Sequence, residues 1–203
     1  GSIDVMVAWL GGITRALQVY YDFSGYSDMA IGLGAIFGFK FLENFNYPYI
    51  SKTMSEYWQR WHISLATWCK DYIYIPMGGS RVAPWRIYFN LFFLFFVIGL
   101  WHGASWNFIA FGVLNGSLIV LERFFNLSKR QLKKIWIIPQ YFYVFIIFIV
   151  NAILANADTI KYSIIHFKGM FGLSQATEAP FYFSYYLDRV GIIIIFVAIL
   201  CCM

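Results

Sequence analysis

Three histidines stand out in a chain whose apolar runs carry little else that titrates. His102 ends the run "NLFFLFFVIGLWH", with Trp101 before it and Gly103 after it. A neutral imidazole is a natural general base near pH 7, because its unperturbed pKa is about 6.5. A charged or strongly polar group inside a membrane span costs about 3 kcal/mol and commonly marks a pathway or a site. The alternative is a structural histidine donating to a carbonyl within a helix bundle. Gly103 leaves room for a backbone or a substrate to approach His102 closely. His62, in "RWHISL", is the second candidate; its alternative is an interfacial histidine meeting lipid headgroups. His166 receives no role. Asp22 and Asp28 flank a Gly-Ser turn, where they can pair with Arg15 or backbone amides as a buried scaffold, or serve in acid catalysis.

Other chemistries find no support. The histidines are few and do not cluster with carboxylates, so no metal site is expected. Cys69, Cys201 and Cys202 form no CxxC pair and read as small apolar fillers. "GLGAIFG" follows no strand, so no dinucleotide site and no bound cofactor is expected. There is no Walker motif, HExxH or GxSxG.

These groups sit in a chain of 203 residues that is 61% hydrophobic, 22% aromatic and only 12% charged. Soluble domains carry roughly a quarter charged residues, and a mean hydropathy of +0.64 points the same way. The fold class is therefore all-α, a polytopic transmembrane helical protein. The formal charge of +5 comes from short basic segments between apolar runs. That pattern marks a cytoplasmic face and gives no sign of nucleic-acid binding.

Residues 5–21 read as a first span. The segment 22–39, rich in Gly and Ser, suits a re-entrant or buried half-helix. Residues 43–53 read as a loop. Thr53 and Glu56 fit a capping box that opens a helix running to Tyr72. Met54, Tyr57, Trp58, Trp61, Leu65, Trp68 and Tyr72 share one face of it; Glu56, Gln59, Arg60, Thr67, Lys70 and Asp71 share the other. The pattern predicts an amphipathic helix at an interface, tryptophans at headgroup depth, with His62 on the border. Spans follow at 87–102, 105–122 and 137–155. Arg81 and Arg86 precede the first two, and Lys129, Arg130, Lys133 and Lys134 follow them, so both basic segments can be cytoplasmic, with a mixed 156–190 loop outside. The basic cluster suits anchoring, or an acidic or phosphate-bearing partner.

"YYDFSGYSDMAIGLG", "FNYPYISKTMSEYWQRWHISLATWCKDYIYIPMGGSR" and "GLWHGASWNFIAFGVLNG" together resemble the membrane-bound O-acyltransferase (MBOAT) family, in its bacterial, alginate O-acetyltransferase-like branch. The likeness runs from about residue 15 to 125, with a weaker echo to 175. It implies a helix ring around a thin core pierced by a tunnel. An activated acyl donor, such as acetyl-CoA or an acyl carrier, would enter from the cytoplasm. A hydroxyl acceptor, an exported polysaccharide or a second acetyltransferase protein, would enter from the far side. It also implies that His102 is the catalytic histidine and His62 a second functional position. Residues 1–203 are then expected to form one partial transmembrane domain, without the family's N-terminal spans and extreme C-terminus, in the inner or plasma membrane. The competing readings are a non-catalytic channel or transporter subunit for acyl groups or solutes, and an assembly scaffold for a secretion complex.

Overall fold

The computed structural model describes residues 4–127, 136–173 and 183–202. Among them the secondary structure is helical, apart from one isolated antiparallel bridge between Phe45 and Trp61.

The first helix, α1, runs unbroken from Val5 to Ile36. Asp4 caps it, its carboxylate accepting from the N–H groups of Met6 and Val7 at 2.8 and 3.3 Å. It ends in a left-handed glycine turn: Gly38 (φ +80°) bonds Ala35 O, and Phe39 N–H reaches Gly34 O at 2.9 Å. The expected break after residue 21 does not occur. No proline interrupts the segment, and an interior glycine costs only about 1 kcal/mol against alanine. Asp22 and Asp28 are exposed on this helix, so they form no buried scaffold, and Arg15 bonds Gln18 Oε1 at 2.7 Å.

After the loop, Pro48–Ile50 make one 3₁₀ turn, and two short helices follow, α2 (Met54–Arg60) and α3 (Ile63–Cys69), the latter running into a wider π turn over Lys70–Tyr74. The expected continuous helix is therefore split at Trp61-His62. Residues 44–46 cause the split by pairing with it: Asn46 N–H bonds Arg60 O at 2.9 Å and Ile63 N–H bonds Asn44 O at 3.0 Å. The cap forms as read, with Glu56 N–H on Thr53 Oγ1, but the Glu56 carboxylate returns to Lys52 N–H, not to Thr53.

The first half of this aromatic face does not lie at an interface as expected. Met54, Tyr57, Trp58 and Trp61 are buried in the protein core, whereas Trp68 and Tyr72 are exposed. In that core Tyr57 stacks on Trp61, and the Phe148 ring lies against both.

Among the described residues, three helices are long and apolar enough to cross a membrane: α4 (Pro84–His102), α5 (Trp106–Phe124) and α6 (Ile137–Asn156). They match the three later spans read from the sequence. The first expected span is part of α1, which does not join them on these criteria. α4 and α5 form a hairpin with a very short link, and glycines set their spacing. A Cβ built on Gly99 would collide with Phe108 O, and one on Gly112 would lie 2.6 Å from Phe95 O. α6 packs against α1 and α5.

The expected loop at 156–190 contains α7 (Ile160–Met170) and α8 (Phe183–Tyr186). α7 lies on α1, where the His166 ring contacts Ala8 O at 2.9 Å. The apolar end forms α9 (Arg189–Cys201), touched by Tyr21 Oη through Ala198 O at 2.8 Å. The cluster Lys129, Arg130, Lys133 and Lys134 lies outside the described residues.

Candidate active site

His102 occupies the last position of α4, and Gly103 turns the chain into α5. A side chain at residue 103 would collide with the Phe108 ring, its Cβ falling 2.7 Å from Cδ2. Glycine thus lets Phe108 stack on the His102 imidazole, with centroids 5.8 Å apart and planes 20° from parallel. Phe111 meets the same ring edge-on at 5.6 Å. The orientation of His102 follows from helix packing.

His62 is held differently. Its backbone is left-handed (φ +48°, ψ +53°), a conformation that costs a non-glycine residue about 1 kcal/mol or more. What compensates is polar. Asn44 Oδ1 lies 3.2 Å from His62 Nδ1 and accepts from Ser64 N–H at 3.1 Å and Ser64 Oγ at 2.9 Å. Asn44 Nδ2 donates to the buried Ser27 Oγ at 3.1 Å, which ties the loop to α1. Phe23 packs edge-on against the His62 ring at 4.6 Å.

The two histidines line one small cavity of about 110 Å³, walled by Val19, Phe23, Trp58, Phe111 and Phe148. Burial, reinforced by the charge His102 would carry, pushes His62 from its ordinary 6.5 down to about 4. The His62 ring is therefore neutral at pH 7. His102, on the same cavity, is an exposed residue. A neutral imidazole in an apolar pocket can accept a proton, and low local polarity strengthens such contacts.

Trp58 separates this cavity from a larger recess of about 850 Å³, which Lys52, Glu56, Gln59, Arg123 and Gln140 help to line. Its indole Nε1 donates to Asn115 Oδ1 at 3.2 Å. Asn115 is paired with Asn151 by bonds in both directions, at 2.9 and 3.1 Å. α2 is anchored from below by Glu122 of α5. That buried carboxylate accepts from Met54 N–H at 2.6 Å, Ser55 N–H at 2.8 Å and Ser55 Oγ at 2.7 Å, and Tyr143 Oη lies 3.2 Å away. It satisfies donors that every helix N-terminus leaves open.

Of the residues singled out from the sequence, His102 and His62 come together, whereas His166, Asp22 and Asp28 stand elsewhere. Asn44, Trp58, Asn115, Glu122 and Asn151 went unnoticed as site residues. Asn115, Glu122 and Asn151 left a signal, since each is a polar residue within an apolar helical run.

The comparisons with known proteins identify the family. The family model of MBOAT, the membrane-bound O-acyltransferase family, matches residues 2–157, extending beyond 15–125 at both ends. The chain is 42% identical over 176 residues to "Probable alginate O-acetylase AlgI" of Pseudomonas aeruginosa, covering 84% of this chain and 33% of that protein. It is 42% identical over 130 residues to the peptidoglycan O-acetyltransferase of Helicobacter pylori, covering 64% of this chain and 25% of the relative. With the teichoic acid D-alanyltransferase of Bacillus subtilis it shares 33% identity over 127 residues, 58% of this chain and 32% of the relative. The chain spans about a third of the length of the alginate relatives it matches. With the family model matched over residues 2–157 and helices long and apolar enough to cross a membrane, the chain belongs to the membrane-bound O-acyltransferase family.

Proposed function

We propose that this chain carries the reacting histidines of an integral-membrane O-acetyltransferase of the inner membrane. The enzyme moves an acetyl group from a cytoplasmic activated donor to a hydroxyl of an exported polysaccharide or of a second acetyltransferase protein. The observation that carries the reading is the shared cavity of His62 and His102.

The chemistry follows from two imidazoles facing one cavity. A ring nitrogen of His102 takes the proton from the acceptor hydroxyl while the oxygen attacks the donor carbonyl. A C–O bond forms, the C–S bond of a thioester donor breaks, and the imidazolium returns its proton to the leaving thiolate. General-base help of this kind is worth about 10²–10⁴ in rate. His62 supplies the second polar contact to the reacting groups. The cavity of about 110 Å³ fits an acetyl group and its carbonyl better than a long acyl chain.

The test uses the whole protein in its own membrane, with exported glycans read by mass spectrometry. His102→Ala is expected to abolish acetyl esters while protein level and partner assembly stay normal. Acetylation at the normal rate would refute the enzyme reading and favour a passage or scaffold.

A further inference from the structure

We propose that Asn44 is a positioning residue that fixes His62 as the tautomer protonated on Nδ1, leaving the lone pair on Nε2 to accept a proton or hydrogen bond from a reacting group. The inference rests on the functional reading above and assigns the role His62 plays within it.

The orientation of the Asn44 amide decides the argument. Ser64 N–H is a backbone donor and cannot accept, and it points at Asn44 Oδ1 from 3.1 Å. That atom is therefore the carbonyl oxygen, with the amide NH₂ turned to Ser27 Oγ. A ring nitrogen 3.2 Å from a carbonyl oxygen makes a hydrogen bond only if it carries the proton. Asn44 Oδ1 thus demands Nδ1–H, and the neutral ring then has its lone pair on Nε2. Ser64 Oγ, 3.4 Å from Nδ1, carries a rotatable hydroxyl that suits either tautomer.

The consequence is specific. With Nδ1–H committed to Asn44, a neutral His62 has no second N–H to give a developing oxyanion. Its free nitrogen accepts. Burial keeps the ring neutral down to about pH 4, so this state persists across the physiological range. The left-handed backbone of His62 fits the same assignment, since strain of that kind survives only where surrounding contacts over-determine it. In serine hydrolase triads, an orienting partner that imposes the wrong tautomer lowers turnover by about 10⁴, which shows how much such a bond can govern.

The experiment is heteronuclear NMR on the histidine-labelled whole protein in detergent, with the His62 signals assigned by their loss in His62→Gln. It is joined to acetyl-ester content of exported glycans at matched protein level. A protonated Nδ1 and a bare Nε2 are expected at pH 7. Asn44→Leu is expected to mix the tautomers and lower transfer on the order of 10-fold to 100-fold. Asn44→Asp keeps an acceptor facing Nδ1 and is expected to keep that nitrogen protonated while its carboxylate raises the pH at which the ring titrates, a shift that a purely structural role for the amide would not predict. It also serves if Asn44→Leu fails to accumulate. A bare Nδ1 in the wild type, a tautomer lost in Asn44→Asp, or full transfer in Asn44→Leu would overturn the inference. Full transfer in His62→Gln would instead overturn the functional reading, whichever tautomer the ring holds.

Discussion

The two histidines reach one cavity by opposite constructions. His102 is the last residue of a regular helix, set by glycine-to-backbone contact between α4 and α5 and by the stacked Phe108 ring. His62 sits at a break between two seven-residue helices, in a left-handed backbone held by side-chain bonds from a distant loop. Steric fit governs the first, polar satisfaction the second. The two regions should therefore fail differently when perturbed.

The largest effect is expected at the steric side. Gly112→Leu places carbon where Phe95 O stands and is expected to prevent the α4–α5 hairpin from closing. Overpacking costs about 1–3 kcal/mol where side chains can yield, and here the obstacle is backbone. The check is accumulation of the whole protein in the membrane and its melting in detergent. A variant that melts like wild type would show that close packing does not set His102.

Next comes Glu122→Ala, which strips acceptors from Met54 N–H, Ser55 N–H and Ser55 Oγ at once. Each buried donor left open costs about 1–3 kcal/mol, so a loss near the upper end, about 3 kcal/mol, is expected. Glu122→Gln should recover only part of it, because an amide offers one acceptor oxygen where the carboxylate offers two. Thermal unfolding of both variants gives the comparison.

A smaller loss, about 1–2 kcal/mol, is expected for Asn115→Leu, which leaves Trp58 Nε1 and Asn151 without their shared partner. Fluorescence of Trp58, isolated by difference from Trp58→Phe, should report a looser indole.

The smallest effect is a pH dependence. The folded pKa of His62 lies below its ordinary value of 6.5, so the unfolded chain binds more protons between about 6.5 and 4. Stability contributed by the neutral ring is full above that window and is lost as pH falls through it. His62→Gln should flatten the acid decline of the melting temperature between pH 7 and pH 5. An unchanged slope would place the titration elsewhere.

The same contrast explains what could be read from the chain. α4, α5 and α6 were legible because long apolar runs leave a helix few alternatives. His102 was legible for the same reason, as an imidazole at the end of such a run. The split at Trp61-His62 was not, because the apolar period continues smoothly through it. What breaks the helix is residues 44–46, some 16 positions upstream, through pairing that no local period records. The continuity of α1 was missed for the converse reason. Its Gly, Ser and Asp residues weaken a helix locally, yet packing of its first half on α6 and a glycine turn at Gly38 carry it to Ile36. The aromatic face of α2 was recognised but assigned to the wrong surroundings, since periodicity cannot distinguish a lipid interface from the interior of a helix cluster.

The central claim is that His62 and His102 act on the same reacting group within one cavity, and a double-mutant cycle on acetyl transfer by the whole protein tests it most directly. Residues that work as a unit are strongly non-additive, so the variant carrying His62→Gln and His102→Gln together should be no slower than His102→Gln alone. Losses that multiply in full would mean that the two rings serve separate steps, and the shared-cavity account would be wrong.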